Sequence, residues 1–171
     1  MHPILKKLAG TDRRSIGKSE EVVADVLADP VLFGAVFEGL LHDDPVIRMR
    51  CADAVEKITV VHPEYLRPYK KKLIQQVAQL VQQEVRWHVA QLFSRVQLSP
   101  AERRTVVGIL TDYLQDKSRI VKTFSMQALA DIAGQDADLR PAIITQLTEL
   151  TRTGSPAMQS RGRKLLAKLK S

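Results

Sequence analysis

One segment of this sequence occurs four times at nearly constant spacing. The stretch 44-DPVIRMRCADAVEKI-58 aligns with 83-QEVRWHVAQLFSRV-96, 119-RIVKTFSMQALADI-132 and 156-PAMQSRGRKLLAKL-169. Ile47, Val85, Val121 and Met158 hold the same place, so the copies are 38, 36 and 37 residues apart. From that anchor, apolar or small residues recur at +4, +7, +8 and +11. The sets are Cys51/Val89/Ser125/Gly162, Ala54/Leu92/Ala128/Leu165, Val55/Phe93/Leu129/Leu166 and Ile58/Val96/Ile132/Leu169. Positions so spaced fall on one stripe of a helix. A period in this range indicates stacked helical units that bury their stripes only against one another.

Between the repeated segments lie further helical stretches, with Leu73, Leu110 and Leu147 again 37 residues apart. Leu66-Arg67-Pro68 also returns as Leu139-Arg140-Pro141. The sequence therefore predicts a single all-α domain over 1–171, built of four helix pairs near 30–60, 63–97, 99–133 and 138–169. In the later pairs the partners fall at 63–82 with 83–97, 99–115 with 118–133, and 138–152 with 155–169. Residues 19–28 read as the second helix of a truncated leading unit and 3–9 as a short turn of helix, so that 1–28 caps the N-terminal end. The intervening 10-GTDRRSIGKS-19, rich in Gly, Ser and charge, reads as a mobile loop over 10–18. Helix starts are punctuated by Asp29-Pro30, Asp44-Pro45, His62-Pro63, Ser99-Pro100 and Ser155-Pro156. A capping side chain accepts from the unpaired N–H groups, and proline at the first helical position has none to leave unpaired. Ser99 and Glu102 form an S-x-x-E capping box.

Asp44-Pro45, Ile47-Arg48, Ala52, Ala54-Val55 and Ile58 resemble the second helix of a HEAT repeat, and Val85-Arg86 and Val121-Lys122 repeat its Val-Arg pair. Met158-Gln159 departs from it. The resemblance spans about 45–169 and is greatest to small stand-alone bacterial HEAT-repeat proteins. It implies an armadillo-like, right-handed α-α superhelix whose second helices line a concave face that holds a protein partner. Helices spaced about 8–10 Å apart would make that face roughly 35–40 Å long. A more distant likeness is to the HEAT-like DNA glycosylases that remove alkylated bases, which implies nucleic-acid binding in a basic groove with an aromatic and a carboxylate. Trp87, Asp53 and Asp131 would fill those places.

Off the apolar stripe, each repeated helix offers positions +1, +2, +3 and +6. Position +1 is Arg48, Arg86, Lys122 and Gln159, and its cations are expected to bridge to turn carboxylates such as Asp44, Glu84 or Asp116. The remaining positions supply the candidate partner-binding residues: Met49, Arg50 and Asp53; Trp87, His88 and Gln91; Thr123, Phe124 and Gln127; Arg161 and Lys164. Trp87 stands out, because an aromatic with a polar tip on an accessible face suits a contact hot spot. His88 has no Ser, Cys or second base placed to pair with it. His42-Asp43-Asp44 is the densest group of metal-type ligands, yet Asp44 is explained as a cap, and no second ligand group stands at metal spacing. No Gly-rich phosphate loop is present. The sequence points to a non-enzymatic binding or scaffold module with no cofactor and no metal.

Charge is concentrated at the ends. The net charge of +7 is made of +4 over 1–18, −3 over 19–151 and +6 over 152–171. Basic ends attract polyanions or acidic proteins. The single cysteine, Cys51, lies on the apolar stripe and reads as a buried, inert thiol. No apolar run reaches the ~18–20 residues of a membrane span, and the apolar part of MHPILKKLAG is too short for a signal peptide. A cytoplasmic protein is expected.

Overall fold

Capping side chains followed by proline set most of the helix starts. In the computed structural model, which describes residues 1–171, Asp44 accepts from the Val46 N–H at 2.8 Å and Asp29 from Val31 at 3.3 Å. Both bonds of the Ser99/Glu102 box are formed. Ser118 caps through Val121 N–H and Ser155 through Met158 N–H. His62 does not cap; its ring pairs with Glu64 instead, at 2.9 Å. Ser19 opens a helix but also leaves the backbone uncapped, because its hydroxyl is drawn to another helix.

The protein is all-helical, without strands. Ten α-helices follow one another: α1 (Pro3–Lys6), α2 (Ser19–Ala28), α3 (Phe33–Glu38), α4 (Pro45–Val61), α5 (Lys70–Gln75), α6 (Gln83–Phe93), α7 (Pro100–Tyr113), α8 (Arg119–Gln135), α9 (Arg140–Thr153) and α10 (Pro156–Lys170). The chain divides into two compact units, 1–96 and 97–171. In the first, α4 packs against α2, α3 and α6; in the second, α8 packs against α7, α9 and α10, and α9 against α10.

The helix expected over 63–82 is broken into three pieces: a 3₁₀ stretch Pro63–Tyr69, then α5, then a 3₁₀ turn Val77–Gln79. Pro68 lacks the N–H that a continuous helix would need there. Gln76, at φ −123° and ψ −60°, ends α5 outside helical geometry. Aromatic packing holds the first of these pieces to α3: Phe33 lies 5.4 Å from Tyr65, and Phe37 lies 4.6 Å from Tyr69, centroid to centroid.

All four anchors, Ile47, Val85, Val121 and Met158, are buried, as are the residues at +4 and +7. At +8 and +11 the first three copies are buried, whereas Leu166 and Leu169 are half-buried. Ser125 occupies the +4 place in α8 with its hydroxyl buried and unpartnered. Gly162 takes the same place in α10, where a Cβ would stand 1.8 Å from Thr151 Oγ1 of α9. Its missing side chain is what lets α9 and α10 approach so closely.

Candidate partner-binding face

Within each unit the repeated helices meet with an offset of about three residues. As a result, position +3 of one copy reaches position +6 of the preceding copy. In the first unit His88 Nε2 on α6 lies 3.9 Å from Asp53 Oδ1 on α4. In the second, Arg161 on α10 donates to Gln127 Oε1 on α8 at 2.8 Å. Four residues chosen as partner contacts thus touch each other across neighbouring helices.

Asp53 is the hub of the first-unit arrangement. Its second oxygen accepts from Ser19 Oγ at 2.5 Å and pairs with Lys57 Nζ at 3.0 Å. Lys57 also reaches Glu20 at 2.6 Å, so α2 and α4 are tied through two carboxylates. His88 Nδ1 lies 2.6 Å from the Glu84 carbonyl. A carbonyl can only accept, so Nδ1 carries the hydrogen and Nε2 faces Asp53 bare in the neutral ring. Burial is the chief influence on His88, and it holds the imidazole below its ordinary pKa despite the nearby Asp53. In the second unit Gln127 also donates to Asp131 at 3.1 Å.

Arg50, the +3 residue of the first copy, turns to the N-terminal segment. It is 4 % exposed, which corrects the expectation of an accessible cation. Its Nε donates to Ser15 O, Nη1 to Leu8 O and Ala9 O, and Nη2 to Asp12 O, all at 2.9–3.0 Å. Four of the five guanidinium N–H groups are thereby satisfied by carbonyls. The segment 10–18, read from composition as a mobile loop, is wrapped round this side chain. Gly10 at φ +155° and Gly17 at φ +58° make the wrapping sterically possible, because a Cβ at either would come within 3 Å of the guanidinium. Met49 is buried as well and is likewise removed from the accessible set.

Arg48, the +1 cation of the first copy, works locally, with acceptors other than a turn carboxylate. Arg48 donates to the carbonyls of His42 and Asp43 at 2.7 and 3.0 Å and to Gln82 Oε1 at 2.8 Å. Gln82 in turn donates to Pro45 O. Arg86 Nε donates to Leu80 O. Two ion pairs not anticipated from sequence do similar work: Arg95 with Glu56 at 2.6 Å and Arg103 with Asp136 at 2.8 Å. Arg95 also donates to the Glu56 carbonyl. Its place at +10, equivalent to Lys57, was the one signal in the sequence.

The remaining candidates are more open. Trp87 is half-buried on α6, its ring 5.9 Å from that of His88, and its indole N–H bonds to no group of the protein. Gln91 and Phe124 are half-buried and Lys164 is exposed. Thr123 is half-buried with its hydroxyl returned to Arg119 O at 2.7 Å.

Ser19, Asp53 and His88 bring together the residue types of a hydrolytic triad in an order that cannot serve one. The hydroxyl bonds to the carboxylate rather than to the imidazole, and Ser19 is fully buried; nucleophilic activation needs the serine against the base. Burial pushes the Cys51 thiol up to about 12, far from a reactive thiolate. Nowhere are three or more His, Cys, Asp or Glu side chains gathered where they could hold a metal ion. No helix is long and apolar enough to cross a membrane.

No family model matches the sequence, and no curated protein does. Among solved structures the chain is similar to the crystal structure of an engineered protein from the Northeast Structural Genomics Consortium. The likeness has a TM-score of 0.66 at 16 % identity and covers 98 % of this chain and 78 % of the other. At that identity it speaks for the helical fold alone.

Proposed function

We propose that this protein is a HEAT-like, right-handed α-solenoid that acts as a non-catalytic binding module, holding a protein partner against its repeated helices with Trp87 as the principal contact. Support for the solenoid comes from the four-fold register, the helix pairs it generates and the +3/+6 contacts between neighbouring copies. Support for the contact comes from Trp87 itself. It is the only tryptophan, half-buried, with an indole N–H that makes no bond inside the protein. A large apolar ring with an open donor is the residue type that dominates protein interfaces.

Asp53, His88, Gln127, Arg161 and Arg50 hold helices and the N-terminal segment together, which leaves Trp87, Gln91, Thr123, Phe124 and Lys164 as the open candidates. Affinity capture with wild-type and Trp87→Ala protein, each checked for folding by circular dichroism, tests the reading. Partners retained by the wild type are expected to be lost from the variant. An identical set of captured proteins removes Trp87 from the site.

A further inference from the structure

The last helix carries a charge pattern that the proposed protein-binding role does not use. Beyond Glu149 the sequence has no acidic residue, while α10 alone holds Arg161, Arg163, Lys164, Lys168 and Lys170. Arg161 is engaged by Gln127. The other four are exposed or half-exposed at the surface and have no acidic partner. Lys7, Lys57, Lys72 and Arg152, by contrast, are each paired with a carboxylate.

Their positions on the helix are ordered. Arg163 and Lys170, seven residues apart, lie along one edge of the solvent face; Lys164 and Lys168, four apart, lie along the other. Between the two rows lie Ala167, exposed, and Ser160, half-buried, both small. The opposite face, with Met158, Gly162 and Leu165 buried, seats α10 on α8 and α9. The result is a helix of 15 residues, about 22 Å long, with a cationic rim on each side of a low ridge.

A flat anionic bilayer would meet such a cylinder along one line, and the face has no aromatic or large apolar side chain to insert. A groove meets both rims at once. The major groove of B-form DNA is about 12 Å wide and admits an α-helix, whose diameter with side chains is about 10–12 Å. The deep, narrow major groove of A-form RNA does not admit one. The solvent face also lacks an Asn, Gln or Asp between the rims to read base edges.

We infer that the exposed face of α10 is a sequence-independent binding surface for duplex DNA, with Arg163, Lys164, Lys168 and Lys170 contacting phosphates on both walls of the major groove. This surface is separate from Trp87 and does not rest on the protein-partner reading.

The test is binding of the full chain to a fluorescent B-form duplex of arbitrary sequence between 50 and 200 mM salt. Four neutralised phosphates give a slope of log K against log[salt] of about −3.6. The quadruple variant Arg163→Gln/Lys164→Gln/Lys168→Gln/Lys170→Gln, checked for an unchanged unfolding midpoint, is expected to lose at least tenfold in affinity at 50 mM salt and most of that slope. Trp87→Ala is expected to keep both. Absence of binding by the wild type at 50 mM, or an unchanged slope in the quadruple variant, overturns the inference. So does equal or tighter binding to duplex RNA or to phosphatidylserine vesicles.

Discussion

Replacing Arg50 by alanine should release the N-terminal segment, and the size of the effect can be worked from its four bonds. A hydrogen bond from a charged donor contributes about 1.5–3 kcal/mol, so the intact set has a ceiling of roughly 6–12 kcal/mol. Most of that is recoverable by water. Ala9 and Asp12 are exposed and Ser15 is half-exposed, so solvent can replace the guanidinium at their carbonyls; only the bond to Leu8 O is fully buried. Loss of that bond, with weaker contributions from the other three, comes to about 3 kcal/mol. Ile4, Leu5 and Leu8 remain packed in the first unit, so the change should be concentrated in residues 9–18. Equilibrium urea unfolding and amide hydrogen exchange read the two parts separately. Arg50→Ala is expected to lower stability by about 3 kcal/mol and to bring the amides of 9–18 to near-unprotected exchange. Arg50→Lys should fall between, since an ammonium has three donors for four carbonyls. A cost below about 0.5 kcal/mol with unchanged exchange over 9–18 would show that the guanidinium does not organise the segment.

Three further outcomes follow from other residues. Gly162→Ala is expected to destabilise by about 2 kcal/mol or more through overpacking against Thr151. Gly108→Ala on α7, with open space around the new Cβ, should stabilise by about 1 kcal/mol; equal effects in chemical denaturation would refute the close approach of α9 and α10. Burial holds the His88 imidazole below its ordinary value, so below pH ~6.5 the unfolded chain takes up a proton that the folded chain resists. The stability tied to His88 is therefore full above the unfolded value and lost as pH falls through the folded one. Wild type should lose more stability than His88→Gln between pH 7.5 and 5.5, with Asp53, Glu56 and Lys57 present in both; parallel losses would exclude His88 as the source. Cys51, its thiol raised to about 12 by burial, should resist alkylation at pH 8 in the native protein and react promptly in denaturant, as followed by mass spectrometry.

Helix positions were legible in the sequence where local chemistry fixes them. Asp44-Pro45, Ser99-Pro100 and Ser155-Pro156 mark starts because cap and proline act within one turn, and the observed helices begin at the proline. The four-fold register also identified the buried stripe, from Ile47 through Met158. The 63–82 stretch was misread because its apolar spacing is helical while Pro68 interrupts the bonding. The roles of +3 and +6 were not legible. They depend on the offset between adjacent helices, which brings Gln127 to Arg161 across 34 residues of sequence and is set by packing. Arg50 was harder still, since its acceptors are main-chain carbonyls and every residue has one. Gly10 and Gly17 were the visible trace of that contact, and their composition alone suggested mobility.

The functional claim turns on Trp87, and fluorine NMR reads it directly. A single tryptophan means that protein labelled with 5-fluorotryptophan gives one resonance. With captured partner in excess, that resonance is expected to move and to lose its relaxation enhancement by a paramagnetic agent in the solvent. A complex that forms while the shift and the solvent enhancement stay as in the free protein would place the partner elsewhere and contradict the account.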